Sequence, residues 1–237
     1  MPVVVIKSSY CGPPGYGNGG YVAGMLAQHM GGSVEVLLRQ PTPLNTELML
    51  TAEAADHMTL TLGQTIIAEV TPAQFELEVP APPAYATAVA VAGSHPGLGS
   101  HPVPGCFVCG PQRADGLRIF PGRSPGGECV ATDWTPPQAL ADATGEVLPE
   151  FIWAVLDCPG AFTLTEGTLI PVLLGKLSVR IHAPVPAGAP HILTAWLIAN
   201  EGRKYFTGTA LFSAAGELCA CARATWIRLK ELSILAS

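Results

Sequence analysis

Val36-Leu37-Leu38-Arg39-Gln40-Pro41-Thr42-Pro43 and Val179-Arg180-Ile181-His182-Ala183-Pro184-Val185-Pro186 are two versions of one pattern, 143 positions apart, and the same spacing sets Leu50-Thr51-Ala52 on Leu193-Thr194-Ala195. Each copy reads as an alternating strand, a Pro-x-Pro turn that cannot continue a ladder, and a second strand. The alternation is plainest where Lys176, Ser178, Arg180 and His182 interleave with Leu177, Val179 and Ile181. A repeat over this distance means two similar halves rather than one continuous design.

Working outward, a short apolar helix is expected ahead of each copy, from Gly19 to about His29 and from about Glu150 to Cys158. Neither has a polar face, so each belongs inside the protein. Behind each copy come more strands: 58–62 and 64–70 in the first half, 204–213 and 217–228 in the second, the last two joined by an Ala214-Ala215-Gly216 turn. Each half therefore reads as strand, buried helix, then three or four antiparallel strands wrapped round that helix.

Composition sets the outer limits. In 237 residues, 49% hydrophobic and 13% charged, there is material for a large core, and disordered or fibrous classes are excluded. No apolar run approaches the roughly 18 residues of a membrane helix, and no secretory leader is read at Met1–Ile6. A soluble protein in the cytoplasm is the expectation. The net charge of −6 and the lack of a basic patch argue against nucleic acid. Seven cysteines without a repeating framework argue for reduced thiols. Pro and Gly cluster at 79–83 and 93–111, which marks a connector between the halves.

The segment Gly15-Tyr16-Gly17-Asn18-Gly19-Gly20-Tyr21-Val22-Ala23, the Val34-to-Pro43 strand and turn, and the second-half stretches 151–157, 177–184 and 216–226 resemble the hotdog-fold thioesterase-like superfamily. The layout looks like its double-hotdog acyl-CoA thioesterase type. The resemblance implies an α+β double hotdog, with two antiparallel sheets each wrapped round a central apolar helix. Residues 1–80 would be the N-terminal hotdog, 81–114 a Pro/Gly-rich linker, and 115–237 the C-terminal hotdog, the two copies pairing their sheets into one surface. It further implies hydrolysis of an acyl-CoA thioester, with coenzyme A as part of the substrate, no other cofactor and no membrane partner. A homodimer of such chains is allowed. The alternative is a non-catalytic acyl or acyl-CoA binding protein of the same fold.

Two elements could carry the chemistry. Asn18-Gly19-Gly20 opens the first helix, where free N–H groups and the helix dipole suit a polarised thioester oxygen. The resemblance implies that role; an ordinary Asn cap with glycines for close packing is the alternative. Asp157 ends an otherwise apolar helix, and a poorly solvated carboxylate with a raised pKa suits a general base. It matches by position the catalytic Asp of the family's second copy, while a structural Asp before the Pro159-Gly160 turn is the alternative. The family's Thr partner would fall near Leu174 and its Gln near Ala224 or Thr225, and neither type is kept. Phe162 stands where hydratases of this fold carry His, which disfavours hydration. Substrate contacts are expected from Tyr21, Thr225 and the phosphate-sized cation pair Arg203 and Lys204.

Cys106-Phe107-Val108-Cys109-Gly110 is a lone CxxC preceded by His95 and His101. Zinc held by those four residues, a redox dithiol, and a structural turn with buried thiols all remain open. No P-loop, GxSxG or dinucleotide fingerprint is present.

Overall fold

Asn18 starts the first helix by capping it: its side-chain oxygen accepts from the Tyr21 N–H at 2.9 Å, and α1 runs over Gly19–Ala27. The second central helix, α3 (Pro149–Asp157), starts on a proline that sacrifices no helical hydrogen bond there. In the computed structural model, which describes residues 2–127, 129–165 and 168–231, the two helices pack directly on each other. Gly20 and Gly24, one turn apart, make the approach close: a Cβ on Gly24 would lie 2.7 Å from Glu150 Cα and 2.8 Å from Trp153 Cβ. That packing buries every α3 residue from Phe151 to Asp157.

The strands are β1 (Val3–Val4), β2 (Val34–Leu38), β3 (Leu48–Ala54), β4 (His57–Leu62), β5 (Thr65–Pro72), β6 (Gly122–Arg123), β7 (Val130–Trp134), β8 (Val172–Ile181), β9 (His191–Glu201), β10 (Lys204–Ser213) and β11 (Leu218–Arg228). Among the described residues they form one antiparallel sheet, ordered β1-β3-β4-β5-β2-β8-β11-β10-β9-β7-β6. The two sheets expected from the sequence are thus hydrogen bonded into one, through β2 and β8. Glu35 pairs with Ser178, Val36 with Leu177 and Leu37 with Lys176. Glu35 and Ser178 occupy equivalent places in the 143-residue repeat, so the pairing sits on an approximate two-fold axis. Lys176 Nζ reaches Glu35 Oε1 at 2.7 Å across the same seam.

The strands expected at 58–62, 64–70, 204–213 and 217–228 lie within two residues of β4, β5, β10 and β11, whereas β8 begins four residues ahead of Lys176, and β6 and β7 add an edge that the sequence pattern does not mark. Gly216, at φ 88°, turns the last hairpin, its N–H donating to Ser213 O. The connector departs from expectation. Rather than loop throughout, it contains α2 (Tyr85–Val91), laid with Phe75 over the outer face of the second-half strands. Ala88, Ala131, Ile192, Trp196, Ala210 and Phe212 pack there into a second cluster. This covering explains why β9 is buried on both faces from His191 to Trp196. The other end of the connector dives into the main core, where Cys106, Phe107, Val108 and Cys109 are all buried. A short helix, α4 (Pro159–Phe162), continues from α3 after Cys158. No helix among the described residues is long and apolar enough to cross a membrane. Of the expected C-terminal hotdog, residues 232–237 lie outside the described residues.

Candidate active site

The start of α1 and the end of α3 meet, and this brings Asn18, Gly20 and Asp157 together from opposite halves of the chain. The Gly20 N–H donates to Asp157 Oδ2 at 2.8 Å, and Asn18 Nδ2 donates to the same oxygen at 3.3 Å. The other oxygen, Oδ1, is buried with no hydrogen-bond partner. Asp157 is 2% exposed, and burial pushes its carboxyl up to about 7, against the pull of the Gly20 N–H and the Asn18 amide. Asp157 is therefore oriented by one oxygen and left with an unused acceptor on the other.

A cavity of about 300 Å³ opens beside this pair. Gly19, Asn18 and Asp157 line it at one end, and Leu38, Phe162, Leu169, Ile170, Leu174 and Trp226 give it apolar walls. Arg39 and Gln40, both exposed, stand at its edge. The expected roles of the two glycines separate here. Gly20 is not among the cavity-lining residues, and its N–H donates to Asp157. Gly19 lines the cavity, and no described residue accepts from its first-turn N–H.

The expected substrate contacts disperse. Tyr21 is buried in an aromatic stack, its ring 4.0 Å from that of Tyr10, and burial raises its phenol pKa; it does not line the cavity. Thr225 pairs with Lys176 and Phe206 in the ladder, while its neighbour Trp226 faces the cavity. Arg203 and Lys204 are exposed on the β9–β10 turn, and the Arg203 guanidinium donates to Arg228 O at 3.2 Å. Neither touches the cavity. Leu174, at the place of the family's Thr, is a wall residue, and a Cβ on Gly19 would come within 2.9 Å of its Cδ2.

The four-ligand set of His95, His101, Cys106 and Cys109 also comes apart. His95 has both ring nitrogens engaged: Nδ1 accepts from Gly97 N–H at 3.0 Å and Nε2 donates to Phe162 O at 3.1 Å. His101 Nδ1 accepts from Val103 N–H. Burial lowers the pKa of both imidazoles. In their place stands Cys158, whose Sγ lies 3.9 Å from that of Cys106. Cys158 stands about fifty positions from the CxxC, so spacing does not group it with that pair. Its one visible signal was adjacency to Asp157. Cys106 is held low by the hydrogen bonds it accepts from the Cys109 and Cys158 thiols, while donating those bonds, together with burial, pushes Cys109 and Cys158 up.

The approximate symmetry supplies no second copy of this arrangement. Where α1 begins with Asn18 and Gly19, α3 begins with Leu148 and Pro149; where α3 ends in Asp157, α1 ends in Ala27. At that opposite crossing the pair is Gln28 Nε2 donating to Glu150 Oε2 at 2.9 Å, an exposed contact.

No family model matches the sequence, and no curated protein does. By structure the chain is similar to a protein assigned as a thioesterase from Novosphingobium aromaticivorans, at 12% identity and a TM-score of 0.61, covering 96% of this chain and 94% of that one. It is also similar to the tesB protein of Mycobacterium avium subsp. paratuberculosis, at 14% identity and a TM-score of 0.58, covering 96% and 92%. A thioesterase superfamily protein is matched over 53% of this chain at 22% identity and a TM-score of 0.47, and the chain spans 61% of that protein's length. The chain shares the fold of the first two structures, the hotdog fold, and at such identities the likeness is one of fold alone.

Proposed function

We propose that the protein is an acyl-thioester hydrolase of the acyl-CoA class, built as two hotdogs over about 1–80 and 115–237 joined by the connector 81–114. The observation that carries this is Asp157: a carboxylate held on one oxygen by Gly20 and Asn18, with its other oxygen unpartnered, on an apolar cavity that begins at a helix N-terminus. In the reaction, Asp157 takes a proton from water as the water oxygen bonds to the thioester carbonyl carbon. The carbonyl oxygen gains negative charge beside the Gly19 N–H and the dipole of α1, where that charge is stabilised. Collapse of this intermediate breaks the C–S bond, and Asp157 returns its proton to the leaving sulfur. The products are a carboxylic acid and coenzyme A. The acyl chain lies along Leu38, Leu174 and Phe162, and no further cofactor enters these steps.

A second reading keeps the cavity and drops the reaction: an acyl-thioester binding protein. Its support is the wall itself, where Leu174 and Trp226 stand at or beside the places of the family's Thr and Gln and offer no hydroxyl or amide oxygen. Release of thiol from short, medium, long and aromatic acyl-CoAs separates the two. Hydrolysis should fall by about 10²–10⁴-fold in Asp157→Asn, the worth of a positioned general base. Tight binding with no release from any acyl-CoA by the folded protein would leave the binding reading standing and remove the hydrolase.

A further inference from the structure

The connector contributes one more constellation on the same cavity, and it is independent of the hydrolase reading. Cys106, Cys109 and Cys158 bring their sulfur atoms within 4.8 Å of one another, and all three line the cavity. We propose that these three cysteines form a thiolate site for a divalent cation of the zinc class, with a fourth coordination position open to the cavity.

The argument starts from local geometry. Cys106-Phe107-Val108-Cys109-Gly110 folds into a tight knuckle, in which the Gly110 N–H donates to Cys106 O at 2.9 Å. Position 110 must be glycine for this turn, since a Cβ there would lie 2.5 Å from both Cys106 N and Cys106 O. The third sulfur arrives from the end of α3. Tetrahedral zinc at ~2.3 Å from each sulfur needs sulfur–sulfur edges of about 3.8 Å. The Cys106–Cys158 edge is already 3.9 Å. The remaining edges, within 4.8 Å, close by about 1 Å or less.

A packing trio of thiols would satisfy the distances but not the surroundings. Neutral thiols are weak acceptors that pack well among apolar groups. Here the Asn18 amide is a donor shared by two of the sulfurs, its Nδ2 lying 3.8 Å from Cys106 Sγ and 3.6 Å from Cys158 Sγ. Donors converging on sulfur are the outer shell that thiolate ligands require. Asp157, the residue before Cys158, keeps Oδ1 buried and unpartnered on the same cavity, an acceptor for a water molecule held by the cation. Three protein ligands with an open fourth position is the pattern of a zinc site that handles a ligand, not one that only ties the chain together.

The test uses the full chain, reduced with a phosphine and freed of loose metal. Its zinc content is measured by mass spectrometry, and the site is then reloaded with Co²⁺ alone. The expected result is one equivalent of metal per chain, with sulfur-to-cobalt charge-transfer bands of three thiolates and the intense visible bands of a four-coordinate ion. Cys158→Ser should weaken binding by more than ~100-fold, beyond the loss typical of an outer-shell partner, whereas Cys129→Ser should leave it unchanged. Reduced wild-type protein that retains no zinc and gives no sulfur-to-cobalt bands would overturn the proposal, as would a Cys106–Cys109 disulfide as the form that persists. The wild-type cobalt spectrum decides the matter even if Cys158→Ser does not fold. Neither readout depends on thioester hydrolysis.

Discussion

Gly20→Ala tests the reasoning that joins the two halves, because the same glycine admits the helix packing and orients Asp157. An added Cβ would fall on Asp157 Cβ, 2.7 Å from Trp153 O and 3.0 Å from Ala154 Cα. These are backbone and helix-interior atoms of α3, which cannot swing aside as the tip of a long side chain can. Overpacking of this kind costs ~1–3 kcal/mol. Separating the helices also lengthens the 2.8 Å bond from the Gly20 N–H to Asp157, worth about 1–3 kcal/mol when its acceptor is buried. Alanine returns about 1 kcal/mol through its better helix propensity. The net is roughly 3 kcal/mol of destabilisation, or ~6–12 °C in Tm for a chain of this size. Gly19→Ala is the control. Its Cβ meets Leu174 Cδ2 at 2.9 Å, Leu174 Cβ at 3.1 Å and Leu38 Cδ1 at 3.2 Å, two movable tips and one atom that need give only a few tenths of an ångström, with no backbone atom among them, so its Tm should fall by less than that of Gly20→Ala. Thermal unfolding by circular dichroism measures both. A Gly20→Ala protein as stable as Gly19→Ala would refute the claim that close α1–α3 contact at residue 20 positions the carboxylate.

Asn18→Ala removes both the cap on Tyr21 and a donor to Asp157, and should cost about 2 kcal/mol in urea unfolding while lowering thioester hydrolysis by more than its effect on stability. Arg203→Ala and Lys204→Ala should leave KM for an acyl-CoA within about twofold, because both residues stand off the cavity and an exposed charge contributes little. Arg39→Ala, at the cavity edge, should raise that KM by several-fold in the same assay if its cation meets the coenzyme A phosphates. Calorimetric titration with a non-hydrolysable thioester analogue should give one site per chain, and a stoichiometry of two would contradict the inequivalence of the helix ends.

What was legible in the sequence is what local pattern controls. The repeat predicts two similar halves, because alternating strands ended by Pro-x-Pro turns can be matched residue for residue, and the resemblance implies that their sheets join; that the joint is β2 against β8 is seen only in the structure. Helices with no polar face predicted burial, and an acid at the end of one predicted the raised pKa of Asp157. The meeting of Asn18 with Asp157 comes from the close packing of α1 on α3, which the positions of the two residues in the chain do not reveal. What was not legible depended on chain paths through space. Tyr21 reads as a contact residue by its place after the glycines, yet the helical rotation of about 100° per residue turns it from the cavity toward Tyr10. The ladder register put Thr225 beside Lys176 and gave the cavity to Trp226. Cys158 joined Cys106 only because the connector folds back under α3, and nothing in its Pro/Gly-rich composition says where such a segment goes.

The division of labour between the halves accounts for why two similar units carry one site. In an antiparallel helix pair related by a two-fold axis, each helix start faces the other's end, so an unbroken repeat would make the site twice. This chain has spent its second copy on structure. Pro149 has no N–H to offer an oxyanion, Leu148 has no side-chain donor, and Ala27 has no carboxylate. Restoring an acid at residue 27 would therefore give a base with neither an orienting amide nor a helix-start donor across from it. The Gln28–Glu150 bond that occupies this crossing is exposed and holds the helices together from outside. The other crossing is the one the connector reaches, where Cys106 and Cys109 pack against Asn18 and Cys158. A connector that covers one crossing breaks the equivalence of the two, and that asymmetry lets the residues at each crossing answer to different demands, solvation and packing at one, a buried carboxylate and three sulfurs at the other.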